Sequence, residues 1–256
     1  MKTPASTLVR LSAVAAVGAL ALSACSSTSG TASASSAVSA KAASSSSVSA
    51  ESGTVIAPPT AAEALAANAK ASYVEDSAWD ASSAQTITLN GSSASTSASG
   101  VKVDGSTVTI TQAGVYKLSG TLNGQVKVEA GTDAQVVLIL DGATITNSSG
   151  SAINVVSADD VVLSLNGSNT VTDGTPSDTN AEDNAAIYSD ADLTITGSGS
   201  LTVNANYNDG ITSKDDLYIL SGDITVTWKD DALPGKDSLT VGGGTFKVTS
   251  GGDGLK

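Results

Sequence analysis

Three stretches of this chain are copies of one pattern: NDGITSKDDLYI at 208–219, DDALPGKDSLTV at 230–241 and GGDGLK at 251–256. Asp209, Asp231 and Asp253 stand 22 residues apart, and Lys214/Lys236, Asp215/Asp237 and Leu217/Leu239 keep the same interval. A fixed period of this size signals a structural unit stacked on copies of itself, each burying its apolar edge against the next. Residues that share a register then share a face, so the repeated carboxylates form a row.

Upstream of the copies, short β-branched or apolar segments follow one another closely. They include VTI at 108–110, VYKL at 115–118, VKV at 126–128, VVLIL at 136–140, VVLSL at 161–165, LTI at 193–195 and LTV at 201–203. Each is bounded by Gly, Asn, Asp or Ser, which reads as strand and turn. Helical periodicity is absent, and 25 glycines are too many for helices. A sandwich or up-and-down barrel also has many strands, but nothing makes them recur at one period with matching side chains. The expected fold is therefore all-β, a right-handed parallel β-helix over 85–256. Gly120 and Gly142, in LSGTL and LDGATI, carry the interval of 22 upstream. TITL at 86–89 precedes a linker-like SSASTSASG at 92–100, and NTVTDGTPSDTNAEDNAA at 169–186 reads as a loop inserted at one corner.

The first 24 residues read as a secretory leader: Lys2 and Arg10, an apolar run from Leu11 to Leu22, then LSAC. That ending resembles the bacterial lipobox, which makes Cys25 the lipidated first residue of the mature chain. The run is too short to span a bilayer as a helix. Cys25 is also the single cysteine, so an intrachain disulfide is excluded and aliphatic ladders must carry stability. Residues 25–84 form a Ser/Ala-rich tether, with a short Ala-rich helix over 61–71 that is marginal in isolation. Loss of Lys2 and Arg10 takes the formal charge from −13 to −15, with no arginine and no histidine left. Such a surface excludes nucleic acid, which needs clustered cations, and favours divalent cations.

The stretch NAAIYSDADLTITGSGSLTVNANYNDGITSKDDLYI at 184–219, with GGDGLK at the end of the chain, resembles the bacterial family of carbohydrate-binding domain-containing lipoproteins. The resemblance covers roughly 85–256. It implies a secreted β-helix with a pectate-lyase-like fold, calcium in the coil corners, and a polysaccharide partner of the pectin or cellulose kind. The second copy departs from the family at Ala232 and Pro234, where a DGIKG-like turn is usual. The family continues past the last repeat, so a truncated C-terminus and self-association at an open β-helix end are expected.

Calcium takes six to eight oxygen ligands at about 2.3–2.6 Å, and neighbouring coils lie about 4.8 Å apart. Carboxylates on successive coils can then share an ion. The expected ligand pairs are Asp209 with Asp231, Asp231 with Asp253, and Asp215 with Asp237, helped by Asn208, Asp216 and Asp230. Asp190 and Asp192, beside Glu182 and Asp183, make a second candidate site. The competing reading is a solvated acidic face in which Asp serves its turns. GGDGL at 251–255 is similar to the RTX calcium nonapeptide, but no nine-residue tandem surrounds it.

For sugar, Tyr207 and Trp228 stand 21 residues apart before their acidic corners and are expected to form a stacking platform. Tyr188 and Tyr218 are weaker candidates, and packing over a corner is the alternative for each. Catalysis is disfavoured. Pectate-lyase-like enzymes mostly use an arginine base that the mature chain lacks, and carboxylates beside Lys214 and Lys236 raise a lysine pKa. A carboxylate pair can serve a glycosidase, but a regular row looks like ion ligation. The expectation is a non-catalytic, calcium-dependent polysaccharide-binding lipoprotein, extracytoplasmic and held at the membrane by its lipid. The alternatives are a polysaccharide lyase with a lysine base, and a surface protein that calcium merely rigidifies.

Overall fold

The computed structural model describes residues 73–249 and 251–256. The leader, Cys25, most of the tether and the 61–71 segment lie outside the described residues. Among the described residues no helix is long and apolar enough to cross a membrane.

In chain order the strands are β1 (Gln85–Gly91), β2 (Ala94–Thr96), β3 (Val101–Asp104), β4 (Thr107–Ile110), β5 (Gly114–Asn123) and β6 (Gln125–Glu129). Next come β7 (Gln135–Thr146), β8 (Ile153–Ser157), β9 (Asp160–Asn166), β10 (Ser168–Thr172), β11 (Ala185–Ser189) and β12 (Asp192–Gly197). The last are β13 (Ser200–Asn204), β14 (Asp209–Ser213), β15 (Asp216–Ile219), β16 (Asp223–Thr227), β17 (Ser238–Val241) and β18 (Thr245–Thr249). The protein is all-β, a curled and mostly parallel sheet. Among the described strands only β1–β2 and β3–β4 pair antiparallel.

The sheet forks. β5 and β7, 10 and 12 residues long, exceed the short strands expected because each runs around a corner. Gln135–Asp141 of β7 pairs with β9, while Thr144–Thr146 pairs with β10. One branch continues β9-β12-β15-β17 and the other β10-β13-β16-β18, while β3, β4, β6, β8, β11 and β14 form a separate sheet. Gly197 closes a corner with φ 105°, and a Cβ there would lie 2.3 Å from the Leu165 carbonyl oxygen. Only glycine fits.

Parallel pairing places like on like. Val136, Val161, Leu193, Leu217 and Leu239 are successive partners, as are Leu138, Leu163, Ile195, Ile219 and Val241. The other branch stacks Ile145, Val171, Val203, Val226 and Val248. The separate sheet stacks Val108, Val126, Ile153, Ile187 and Ile211. These side chains share one core cluster, except that Val241 and Val248 on the last rungs are 44% and 37% exposed. Each fully buried aliphatic contributes about 1.5–3 kcal/mol.

Several expectations need correction. The tether stops short of residue 84: Val74, Trp79 and Ala84 pack on Val115, Val137, Ile139 and Val162, the apolar outer face of β5, β7 and β9. Tyr73 meets Tyr218 with ring centroids 5.3 Å apart, and Thr196 Oγ1 donates to Asp76 at 3.1 Å. The segment at 92–100 is no plain linker, because β2 folds back on β1. Residues 169–172 pair within β10, and 185–186 within β11, so the excursion runs from 173 to 184.

Asp173 anchors the start of that excursion. It is 4% exposed, accepts the Asn206 N–H on its carboxylate, and its carbonyl accepts Asn206 Nδ2 at 2.9 Å. Burial pushes its carboxyl up to about 6, against the pull of the Asn206 and Tyr207 N–H groups. A raised carboxyl favours the protonated folded state. Its contribution is complete below 3.8 and is lost as pH rises through about 6. Melting curves at about pH 4 and pH 7 should show Asp173→Asn removing about 1–3 kcal/mol of the wild-type decline; equal declines would contradict the burial of this carboxyl. Leu163→Ala should cost about 2–5 kcal/mol in urea unfolding, and Val248→Ala less than about 1 kcal/mol. Equal losses would mean that the ladders are not the source of stability.

Candidate functional site

The repeat read from the sequence is kept in space. Asp209 opens β14, and the Gly210 and Ile211 N–H groups donate to the carbonyls of Asp231 and Ala232 at 2.9 and 2.8 Å. The departure at Ala232 and Pro234 does not break the register, since the Pro234 carbonyl accepts the Ser213 N–H at 3.1 Å. Proline has no N–H to pass on, and pairing there thins to the bridges Ser213↔Gly235 and Leu233↔Leu255. Gly210 belongs to the motif for a steric reason, as a Cβ would come within 2.4 Å of the Ala232 oxygen.

Each corner carboxylate accepts from the backbone of the next copy. The Asp231 N–H donates to Asp209 Oδ1 at 3.1 Å, and the Asp253 N–H donates to Asp231 Oδ1 at 2.9 Å. These bonds join successive rungs rather than residues of one turn, and they occupy one oxygen each of Asp209 and Asp231. Oxygens of Asp209, Asp230 and Asp231 converge within 4.8 Å of one another. Asp209 and Asp231 are each 8% exposed. Burial pushes the Asp209 carboxyl up, and the charges of Asp231 and Asp230 add to this. Asp231 goes the other way, held below the usual carboxylate range by Lys256, whose Nζ lies 2.9 Å from Oδ2. The corner thus concentrates negative charge and already draws in one ammonium. It opens on a cavity of about 420 Å³ lined by Asp209, Asp231, Thr212, Lys214, Lys236 and Lys256.

The expected ligands divide into separate groups. Asp253 is exposed and outside the converging trio, contributing its N–H. Asn208 serves through its carbonyl, which accepts the N–H groups of Lys229 and Asp230 at 3.2 and 3.3 Å. Asp215 and Asp237 form a second, exposed row, in which burial and then the Asp237 charge raise the Asp215 carboxyl. Asp216 belongs elsewhere: it accepts Ser238 Oγ at 2.6 Å and donates its N–H to Asp192 at 3.0 Å. Asp183 and Asp190 lie with Glu182 beside Asn154 and Tyr188, lining a separate cavity that the Glu182–Lys214 ion pair joins to the rim of the corner.

The expected aromatic platform does not form. Trp228 is 5% exposed and packs in the core cluster, because the inward alternation of Ile224 and Val226 continues to it. Tyr207 is half-buried, and its hydroxyl donates to the Thr179 carbonyl on the 173–184 excursion at 3.2 Å. Tyr188 and Tyr218 are each 2% exposed. What the sequence reading missed is the cationic rim. The interval puts Lys214 and Lys236 beside the acids, whereas Lys256 stands outside it, three residues after Asp253. Asn154 and Asp173 were missed too, their segments carrying no repeat.

Residues 104–256 match the model of a family described as "Carbohydrate-binding domain-containing protein". A protein of that description from Acetivibrio thermocellus is 43% identical over 136 residues, which is 50% of this chain and 47% of the relative. The chain thus spans about half the length of that relative. A solved structure, the polysaccharide lyase-like protein from C. thermocellum as a gadolinium derivative, is 38% identical. It superposes with a TM-score of 0.65 over 68% of this chain and 73% of that one. This chain belongs to the family of carbohydrate-binding domain-containing proteins.

Proposed function

We propose that the protein binds an acidic polysaccharide through calcium held at the Asp209–Asp230–Asp231 corner, and that it performs no reaction on the polymer. The observation that carries this reading is the convergence of three carboxylates within 4.8 Å on a corner whose cavity also holds lysines. Membership of a carbohydrate-binding family supplies the substrate class. The donor set fits calcium: hard oxygens from more than one rung, with one oxygen of Asp209 and of Asp231 fixed by a backbone N–H. The solved relative is a gadolinium derivative, and gadolinium is likewise a hard, oxygen-seeking cation.

On this reading calcium offsets the stacked charge and takes over from Lys256 at Asp231. Lys214, Lys236 and Lys256 then offer ammonium groups to sugar carboxylates, which lets a chain of formal charge −13 hold a pectin-like polymer. The two branches and the separate sheet follow one another rung by rung, which supports coils closed as a right-handed parallel β-helix. A leader of residues 1–24, removed to leave a lipidated Cys25, would place this domain outside the cell on a lipid anchor. A lysine-based lyase is the weaker reading, because Glu182 bonds Lys214 and holds its pKa above the ordinary lysine value, so that it keeps its proton. The N–H caps on Asp209 and Asp231 favour a second reading, in which the ion serves rigidity alone.

Retention of the full chain on polygalacturonate gel should require calcium and be reversed by a chelator. Asp230→Asn with Asp231→Asn should weaken retention by about tenfold or more, the scale of one charge-assisted contact. Lys214→Ala with Lys236→Ala should weaken retention while leaving calcium affinity intact. Retention indifferent to chelator would sink the calcium reading, and release of an unsaturated, ultraviolet-absorbing product would sink the non-catalytic one.

A further inference from the structure

The excursion from 173 to 184 is fastened along its length, and it ends beside the aspartate corner. The Asp173 carboxylate takes the Asn206 N–H at its start, and Tyr207 donates to the Thr179 carbonyl in its middle at 3.2 Å. At its end the Asp183 carboxylate accepts Asn154 Nδ2 at 2.8 Å, and the Asp183 carbonyl accepts Ser151 Oγ at 2.9 Å. The Asn184 carbonyl then accepts the N–H of Asp209 itself at 3.1 Å. Glu182 is thus set between fixed points, and its side chain reaches a lysine that lines the corner cavity.

That lysine is Lys214. The Glu182 side chain is 76% exposed and that of Lys214 only 26%, so the ammonium group, not packing, decides where the carboxylate rests. The bond and charge of Lys214 hold the Glu182 carboxyl below the ordinary glutamate range, and the charge of Lys236 adds to this. One carboxylate therefore faces both lysines of the repeat. A sugar acid would offer the same group to the same place. Lys256 is likewise taken by Asp231, and among the described residues Lys236 alone of the three has no ion-pair partner.

We propose that Glu182 is an internal competitor for the acidic ligand: it occupies Lys214 as a sugar carboxylate would, and it lowers the affinity of the corner until the polymer displaces it. This rests on the reading of the corner as a site for acidic polysaccharide, and it concerns the regulation of that site. Glu182 meets Lys214 without loss of translational freedom, whereas a carboxylate arriving from solution loses it. A polymer held at Lys236 is tethered in its turn, and exchanges its own carboxylate for that of Glu182. An exposed ion pair is weak, so the mask is partial and attenuates binding about two- to fivefold.

The test is retention of the full chain on polygalacturonate gel with calcium present, in a cycle of Glu182→Gln against Lys214→Ala with Lys236→Ala. Glu182→Gln should tighten retention about two- to fivefold. Removal of a merely structural clasp gives no such gain. In the double-lysine background the same substitution should bring no gain, which separates masking from general relief of charge on a chain of −13. Calcium affinity, measured by calorimetry, should be alike in wild type and Glu182→Gln. Wild-type retention that Glu182→Gln leaves unchanged or weakens overturns the proposal and spares the reading of the corner. A gain of equal size in the lysine background overturns it, as does a calcium affinity that rises as much as retention. No retention in either form overturns the proposal and that reading together, whereas retention that emerges only in Glu182→Gln supports the mask.

Discussion

Parallel pairing obliges each residue to sit about 4.8 Å from its counterpart one rung earlier, and that obligation runs through the whole protein. Where the counterpart is Leu138 beneath Leu163 beneath Ile195, repetition multiplies buried apolar area. Where it is Asp209 beneath Asp231, repetition multiplies like charge in a half-desolvated corner. The first gain makes the second cost tolerable. Backbone N–H groups answer one oxygen each of Asp209 and Asp231, and Lys256 engages the other oxygen of Asp231.

The same logic explains why the acids sort into separate groups. Adjacent residues on a strand face opposite ways, and Lys214 and Asp215 lie in the turn between β14 and β15 while Asp216 begins β15, so the run Lys214-Asp215-Asp216 is divided among sites. Asp216 begins β15 and pairs along its branch with Asp192 and Ser238, Asp215 stays at the rim with Asp237, and Lys214 reaches the excursion through Glu182. Ligand groups are decided by rung and facing, and only then by residue type.

Those two factors also mark how far the residues could be read. The interval of 22 and the aliphatic runs mark most strands of the two branches, because Leu, Ile and Val at alternate positions are a strong signal, but not the fork itself, whose β10 falls in the stretch read as a loop. The separate sheet was largely overlooked, since INVVS, AAIYS and DGITS mix small and polar residues. Ser189 and Ser213 occupy inward positions there and both donate to the Ala191 carbonyl, a buried polar stack that no propensity scale rewards. The Asp209–Asp231 pairing was visible in the repeat. Asn154 was not, because its importance depends on the excursion that brings Asp183 to it. Trp228 was misjudged by its aromatic character, when its place two residues after Val226 already turned it inward.

The segment from Tyr73 to Ala84 has a mechanical consequence. It touches β5, β7 and β9 through its apolar side chains, β12 through Asp76 and β15 through Tyr73. Tension applied at residue 73 is thus spread over five strands on several rungs before it reaches β1. A pull on the end of a stack normally peels strands one at a time, each hydrogen bond breaking alone. Here the contacts of Tyr73–Ala84 share the same pull among β5, β7, β9, β12 and β15 instead of passing it to β1 alone.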